Sequence, residues 1–173
     1  VDVNTLADGL PRNNFLKRAL TWNEGNILNG ARHITIAGHI VYITTPRALV
    51  ILDLDDPLSP KLVKRIKMED PRASAVQFRY LFVTDHDGLK IFDATSPHNI
   101  SSSPVATVAL NDAKKVYVAR TYAYVAAGKD GLAIINVKNP EKPSVYEMFT
   151  AKGELNDAQD VIVGSTNASL FAY

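Results

Sequence analysis

The chain has 173 residues, a formal net charge of +1, and a composition that is 46% hydrophobic and 21% charged. That length can bury one sizeable core, and the charge balance excludes a polybasic nucleic-acid surface and an acidic disordered chain. With no cysteine there is no disulfide, thiolate metal site, thiol nucleophile or Cys-x-x-Cys-His haem attachment within these residues, and no run approaches the ~18 apolar residues of a transmembrane helix.

From the N-terminus, Pro11 precedes Phe15 to Thr21, a segment that reads as a strand. Two strands follow, Ile34 to Ala37 and Ile40 to Thr44, then the turn Thr45-Pro46-Arg47-Ala48 and the apolar run Leu49 to Leu54. The same order returns as Ala75 to Phe78, Tyr80 to Thr84, the turn Asp85-His86-Asp87-Gly88, Leu89 to Asp93, a long loop Ser96 to Pro104, and Val105 to Leu110. It returns again as Lys115 to Ala119, Tyr122 to Ala126, the turn Ala127 to Gly131, Leu132 to Val137, a proline-broken loop Lys138 to Pro143, and Val145 to Thr150. Gln159 to Val163 and Leu170 to Tyr173 then read as the first two strands of one more unit. Ala48 stands where the other units carry glycine, which predicts a different turn there. Leu132 to Val137 is apolar at nearly every position, which predicts a strand buried on both faces.

The aligned positions Asp53, Asp93 and Asn136 are 40 and 43 residues apart, and so are Pro57, Pro97 and Pro140. A period of about 40–45 residues built from four short strands is the mark of a β-propeller, one blade per repeat. The expected fold is therefore all-β, a propeller of four-stranded blades of 40–43 residues. Residues 1–30 would hold the outer strand of a preceding blade and a connection, 31–70, 71–112 and 113–155 three full blades, and 156–173 the start of another. Three full blades are fewer than the usual four to eight, so an incomplete portion of a larger propeller is expected. Asp53, Asp93 and Asn136 end the third strand of their units and are read as side chains that hydrogen-bond the proline turn. Tyr42, Phe82, Tyr117, Tyr122 and Tyr124 sit on strands and are read as core or inter-blade packing rather than stacking platforms for nucleic acid.

The wording of the repeat resembles the LVIVD-repeat family of bacterial and archaeal proteins. The resemblance rests on Tyr122 to Ala126, on Gly128-Lys129-Asp130-Gly131-Leu132-Ala133-Ile134-Ile135-Asn136-Val137, and on Lys138 to Pro143, with looser matches at Val50 to Leu54 and Lys90 to Asp93. It spans roughly residues 31 to 173 and implies a propeller of a secreted or cell-surface protein, in some members multi-domain with multihaem cytochrome modules. The family defines no catalytic residues. The Trp-Asp dipeptide of tryptophan-aspartate repeats is missing, since Trp22 is followed by Asn23.

In such a blade the loops joining strands two and three share a rim with the blade-to-blade connections, and propellers generally bind at that rim or at the channel mouth. The rim loops would gather Arg47, Asp85, His86, Asp87, Lys129 and Asp130. The connections would add Glu69, Asp70, Arg72, Asp112, Lys114, Lys115, Glu154, Asp157 and Asp160. Of these, Arg72, Asp85, His86, Asp87, Lys114, Lys115, Lys129, Asp130 and Asp157 are the candidate binding residues. Asp85-His86-Asp87-Gly88 could offer oxygen ligands to Ca²⁺, but it lacks the Glu of a calcium loop, and Asp and Gly also serve as plain turn formers. His33, His39, His86 and His98 share no metal-ligand spacing. No cofactor is expected within the chain.

The leading functional expectation is a non-enzymatic interaction module. Its partner would be a protein or polysaccharide at the rim, or further blades and domains of the same protein, with no nucleic acid. Two alternatives are a metal-dependent propeller hydrolase of the lactonase kind, with Asp85, Asp157 and Asp160 as nearest ligands, and a self-assembling wall or filament component.

Overall fold

The computed structural model describes residues 19–165 and 170–173. Three antiparallel four-stranded sheets follow one another, each in simple meander order. Blade 1 is β1 (His33–Ala37), β2 (Ile40–Thr45), β3 (Ala48–Asp53) and β4 (Lys61–Lys67). Blade 2 is β5 (Ala73–Gln77), β6 (Tyr80–Asp85), β7 (Gly88–Asp93) and β8 (Ala106–Ala109). Blade 3 is β9 (Lys115–Ala119), β10 (Tyr122–Ala126), β11 (Leu132–Asn136) and β12 (Ser144–Phe149). A two-stranded sheet follows, β13 (Val163–Ser165) with β14 (Leu170–Ala172). Among the described residues, no helix is long and apolar enough to cross a membrane.

The strands form because β-branched and aromatic residues alternate faces on a pleated ladder, and each blade ends its third strand with one repeated device. Asp53 Oδ1 accepts the N–H of Asp55 at 2.8 Å, Asp93 Oδ1 that of Thr95 at 2.9 Å, and Asn136 Oδ1 that of Lys138 at 3.0 Å. The carboxylate or amide supplies an acceptor where the ladder stops and the proline turn begins.

The core lies between blades. Tyr42, Leu49 and Ile51 of blade 1 meet Leu81, Val83 and Phe92 of blade 2. One blade on, Phe82, Leu89 and Ile91 meet Ala123, Val125, Ala133 and Ile135. Each large side chain buried there contributes about 1.5–3 kcal/mol. Buried threonines add a polar tie at the same junctions. Thr44 Oγ1 donates to the carbonyl of Arg72 at 3.0 Å, and Thr84 Oγ1 to that of Lys114 at 3.1 Å. Blade 3 has Ala126 at this position and no hydroxyl to continue the series.

Several expectations are corrected. The tight turns of blades 1 and 2 share one register, Thr45 opposite Ala48 and Asp85 opposite Gly88. They differ in backbone angle, since Gly88 has φ +135° and Ala48 is not left-handed. The blade that departs is the third, whose loop 127–131 is longer and bridges Gly128 to Ala158. Phe78 is not in a strand. It occupies the turn between β5 and β6, where Gln77 pairs with Tyr80, and takes φ +53°. β11 is not buried on both faces: Ala133 and Ile135 are fully buried against blade 2, while Leu132 and Ile134 are only half-buried. The pattern of β3 is buried almost throughout, because burial of a strand's second face depends on the blade beside it. The final unit's first strand is Val163–Ser165 rather than Gln159 to Val163. Upstream, Ala158 exchanges both backbone hydrogen bonds with Gly128 instead of joining the ladder. The strand expected at Phe15 to Thr21 lies mostly outside the described residues, and Ala19 to Thr21 are in no strand.

Candidate functional site

At each blade junction an Asp sits two residues before a cation: Asp70 before Arg72, and Asp112 before Lys114. The cations, with Arg32 in blade 1, hold one backbone position, since the N–H groups of Arg32, Arg72 and Lys114 donate to Thr44, Thr84 and Ala126 at 2.8 Å each. The side chains link the junctions into one ladder. Arg32 pairs with Asp70. Arg72 spans Asp70 (2.9 Å) and Asp112 (2.5 Å). Lys114 spans Asp112 (3.4 Å) and Asp157 (3.1 Å). Gln159 closes the series on Asp157 at 2.6 Å. The hydrogen bond from Arg32, then that from Arg72, holds Asp70 below the usual carboxylate range. Arg72 does the same for Asp112, and burial of both carboxylates works against the effect.

Asp85 is fully buried and pairs with Lys90, which also reaches Asp87 at 3.1 Å. The Lys90 ammonium thus occupies the place a cation would take between the two carboxylates. His86 is exposed at the tip of the same turn. Lys129 and Arg47 are exposed with no carboxylate within 4.0 Å among the described residues. Asp130 accepts from the Asn111 amide at 2.9 Å, and Glu69, Glu154 and Asp160 are exposed. Among the described residues no group of three or more metal-ligating side chains comes together. His39 and His98 both approach Asp53, at 4.0 and 2.9 Å.

Lys115 behaves differently from its neighbour Lys114. It lines a cleft of about 470 Å³ along the propeller axis, walled by β1, β5, β9 and residues 160–162. The polar groups there include His33, Thr35, Ser74, Tyr117 and Asp160. His33 Nδ1 accepts the N–H of Ser74 at 3.2 Å, which leaves the proton of the neutral ring on Nε2. Burial, then the Lys115 charge, pushes the His33 pKa down, and Asp160 opposes the shift.

Of the predicted residues, Arg72 is tied to Asp70 and Asp112, Lys114 to Asp112 and Asp157, and Asp85 and Asp87 to Lys90, all within the protein, while Lys115 lines the axial cleft. Sequence reasoning missed Arg32 and Lys90 as their partners. The signal for the ladder was present, since Asp-x-Arg and Asp-x-Lys recur 42 residues apart at 70–72 and 112–114.

The LVIVD repeat family model matches residues 30–67 and 111–151, which are blades 1 and 3. Blade 2 has the same topology but interrupts the apolar third strand with Lys90 and lengthens the loop after it. No curated protein matches the chain in sequence. Among solved structures, the computationally designed Ika4 protein is similar at 10% identity and TM-score 0.65, over 91% of this chain and 98% of the designed one. The designed Ika8 protein aligns with 83% of this chain and 45% of its own, at 9% identity and TM-score 0.57. Hsv2 of Kluyveromyces lactis aligns with 82% of this chain but only 40% of its own, at 17% identity and TM-score 0.51. At such identities the likeness speaks for fold alone. The repeats and the sheet order agree: the chain carries LVIVD repeats at residues 30–67 and 111–151 and folds as a partial β-propeller.

Proposed function

We propose that this chain is a non-enzymatic interaction module of a secreted or cell-surface protein, and that its partner is engaged at the axial cleft. The observation that carries this reading is the contrast between adjacent lysines. Lys114 is bound by two carboxylates, whereas Lys115 lines the cleft with no carboxylate within 4.0 Å among the described residues. Clefts where several blades converge are where propellers place ligands. This one offers an ammonium, a carboxylate at Asp160, hydroxyls and an imidazole N–H, a set suited to a protein or polysaccharide group that both donates and accepts. A hydrolase with a channel metal would draw carboxylates from several blades, and Asp160 is the one acid among the residues lining the cleft. The test probes peptide and glycan arrays with the wild type and Lys115→Glu, with Lys129→Glu as the rim control. Loss of the bound signal in Lys115→Glu alone supports the reading. Equal binding by both variants, or turnover of an arrayed ester or lactone, contradicts it.

The far face of blade 3 favours a second reading, self-assembly. Tyr42 and Phe82 are each 1% exposed, whereas their counterpart Tyr124 is only half-buried, and Phe149 and Tyr146 on the outer strand are 46% and 66% exposed. Sedimentation that stays monomeric across a hundredfold concentration range removes that reading.

A further inference from the structure

The rim opposite the ion-pair ladder carries a second groove, of about 230 Å³, between blades 2 and 3. Both blades are complete four-stranded sheets, so its shape does not depend on what lies beside the arc. Its floor is apolar, built from Phe82, Val118, Val137 and Pro140. Its edges carry three cations, Arg79, Arg120 and Lys138. Arg79 is committed in part, stacked over the Tyr80 ring at 5.1 Å and 3.9 Å from Glu141. Arg120 and Lys138 have no carboxylate within 4.0 Å among the described residues, although every cation of the opposite ladder is paired.

Phe78 marks the same edge. It is 90% exposed and adopts φ +53°. The equivalent turn position is Gly38 in blade 1, with φ +63°, and Arg120 in blade 3, with φ +54°; of the three residues only glycine takes this conformation without steric penalty. A bulky side chain in the left-handed region is strained, and an aromatic ring in water forgoes its burial. Both penalties fall on one residue, and the fold recovers neither through packing. Such a residue at a groove edge points to a role outside folding.

We infer that this groove is a docking site for an acidic peptide segment, one apolar side chain seated on the Phe82–Val118–Val137–Pro140 floor under Phe78, with flanking carboxylates on Arg120 and Lys138. Charge complementarity selects an acidic partner, and the apolar floor favours a peptide over a uniformly polar polyanion. The site is separate from the axial cleft, and the two stand or fall independently.

The experiment measures fluorescence anisotropy of a fluorescein-labelled peptide, Glu-Asp-Leu-Glu-Glu-Leu-Glu, against the purified protein, with the all-lysine counterpart as comparison. The acidic peptide binds and the basic one does not. Arg120→Glu with Lys138→Glu weakens binding by at least about tenfold, and Lys129→Glu on the other rim leaves it unchanged. Phe78→Gly separates function from folding: it relieves the left-handed strain, so the melting temperature holds or rises, while affinity falls about tenfold. The inference is overturned by a Phe78→Gly protein with intact affinity, or by no preference for the acidic peptide. Polygalacturonate or a single-stranded oligonucleotide that binds in its place with the same sensitivity to Arg120 and Lys138 overturns it equally.

Discussion

At the rim of the blade-to-blade connections, Arg72 and Lys114 each hold two carboxylates from neighbouring junctions. At the opposite rim Arg120 and Lys138 hold none among the described residues, yet they border the same two blades. The two rims show that charge in a repeat fold follows two rules. A cation that recurs at one blade position, with an acid two residues before it, becomes part of the scaffold. Arg120 and Lys138, which fall outside that pattern and have no such acid beside them, stay available to a partner. Counting charged loop residues cannot separate these cases, but asking which ones repeat can.

A graded set of substitutions and titrations would break or sharpen this contrast. The largest effect is expected at the buried pair. Lys90→Ala strands the fully buried Asp85 carboxylate and lowers unfolding free energy by about 3–5 kcal/mol in urea melts. The double variant Asp85→Thr, Lys90→Val installs the Thr45 and Val50 pair of blade 1 and recovers most of that loss. If the double variant is as unstable as Lys90→Ala, the pair is more than a substitute for blade 1's apolar packing.

Next comes Arg72→Ala, which leaves Asp70 and Asp112 each short of one cation. Denaturant melts should show a loss of about 1–2 kcal/mol. Lys138→Ala on the other rim should stay within about 0.5 kcal/mol of wild type. Smaller still is Thr84→Val, similar in shape but unable to donate to the Lys114 carbonyl. It should cost about 1 kcal/mol, and an unchanged midpoint would show that the threonine tie adds nothing to the junction.

The pH response is the subtlest. Asp70 and Asp112 are held below their ordinary value of 3.8, so the unfolded chain binds protons more readily in that window. Their contribution is fully present above about pH 4 and is lost as pH falls through the lowered folded values. A stability profile of Arg72→Ala should therefore be flatter than wild type below pH 4. His33 adds a separate shift, since its depressed folded value favours the neutral ring. Its share is present above 6.5 and declines as pH drops through the folded value, and an NMR titration of the ring reads it directly.

How far the sequence could be read depended on whether a feature repeats. Asp53, Asp93 and Asn136 recur with their prolines, and their role as turn acceptors follows from position alone. The strand order followed from the same period. The ladder was half legible: its residues fell on the expected rim, but its pairs join positions about 40 residues apart through blade-to-blade register, which no single repeat contains. The face of β11 was misread because an apolar run states what a strand tolerates, not what neighbour it has. Phe78 was hidden by its type, since a phenylalanine beside Val76 extends a strand in sequence and turns a corner in the structure.

The claim that the charged rim is a blade clamp is tested most directly by a double-mutant cycle on Arg72 and Asp112, read by equilibrium urea unfolding. With Asp112 39% exposed and solvent screening the pair, a coupling of about 1 kcal/mol between Arg72→Ala and Asp112→Ala is predicted. A coupling indistinguishable from zero would contradict the clamp and return these residues to the pool of charges available for binding.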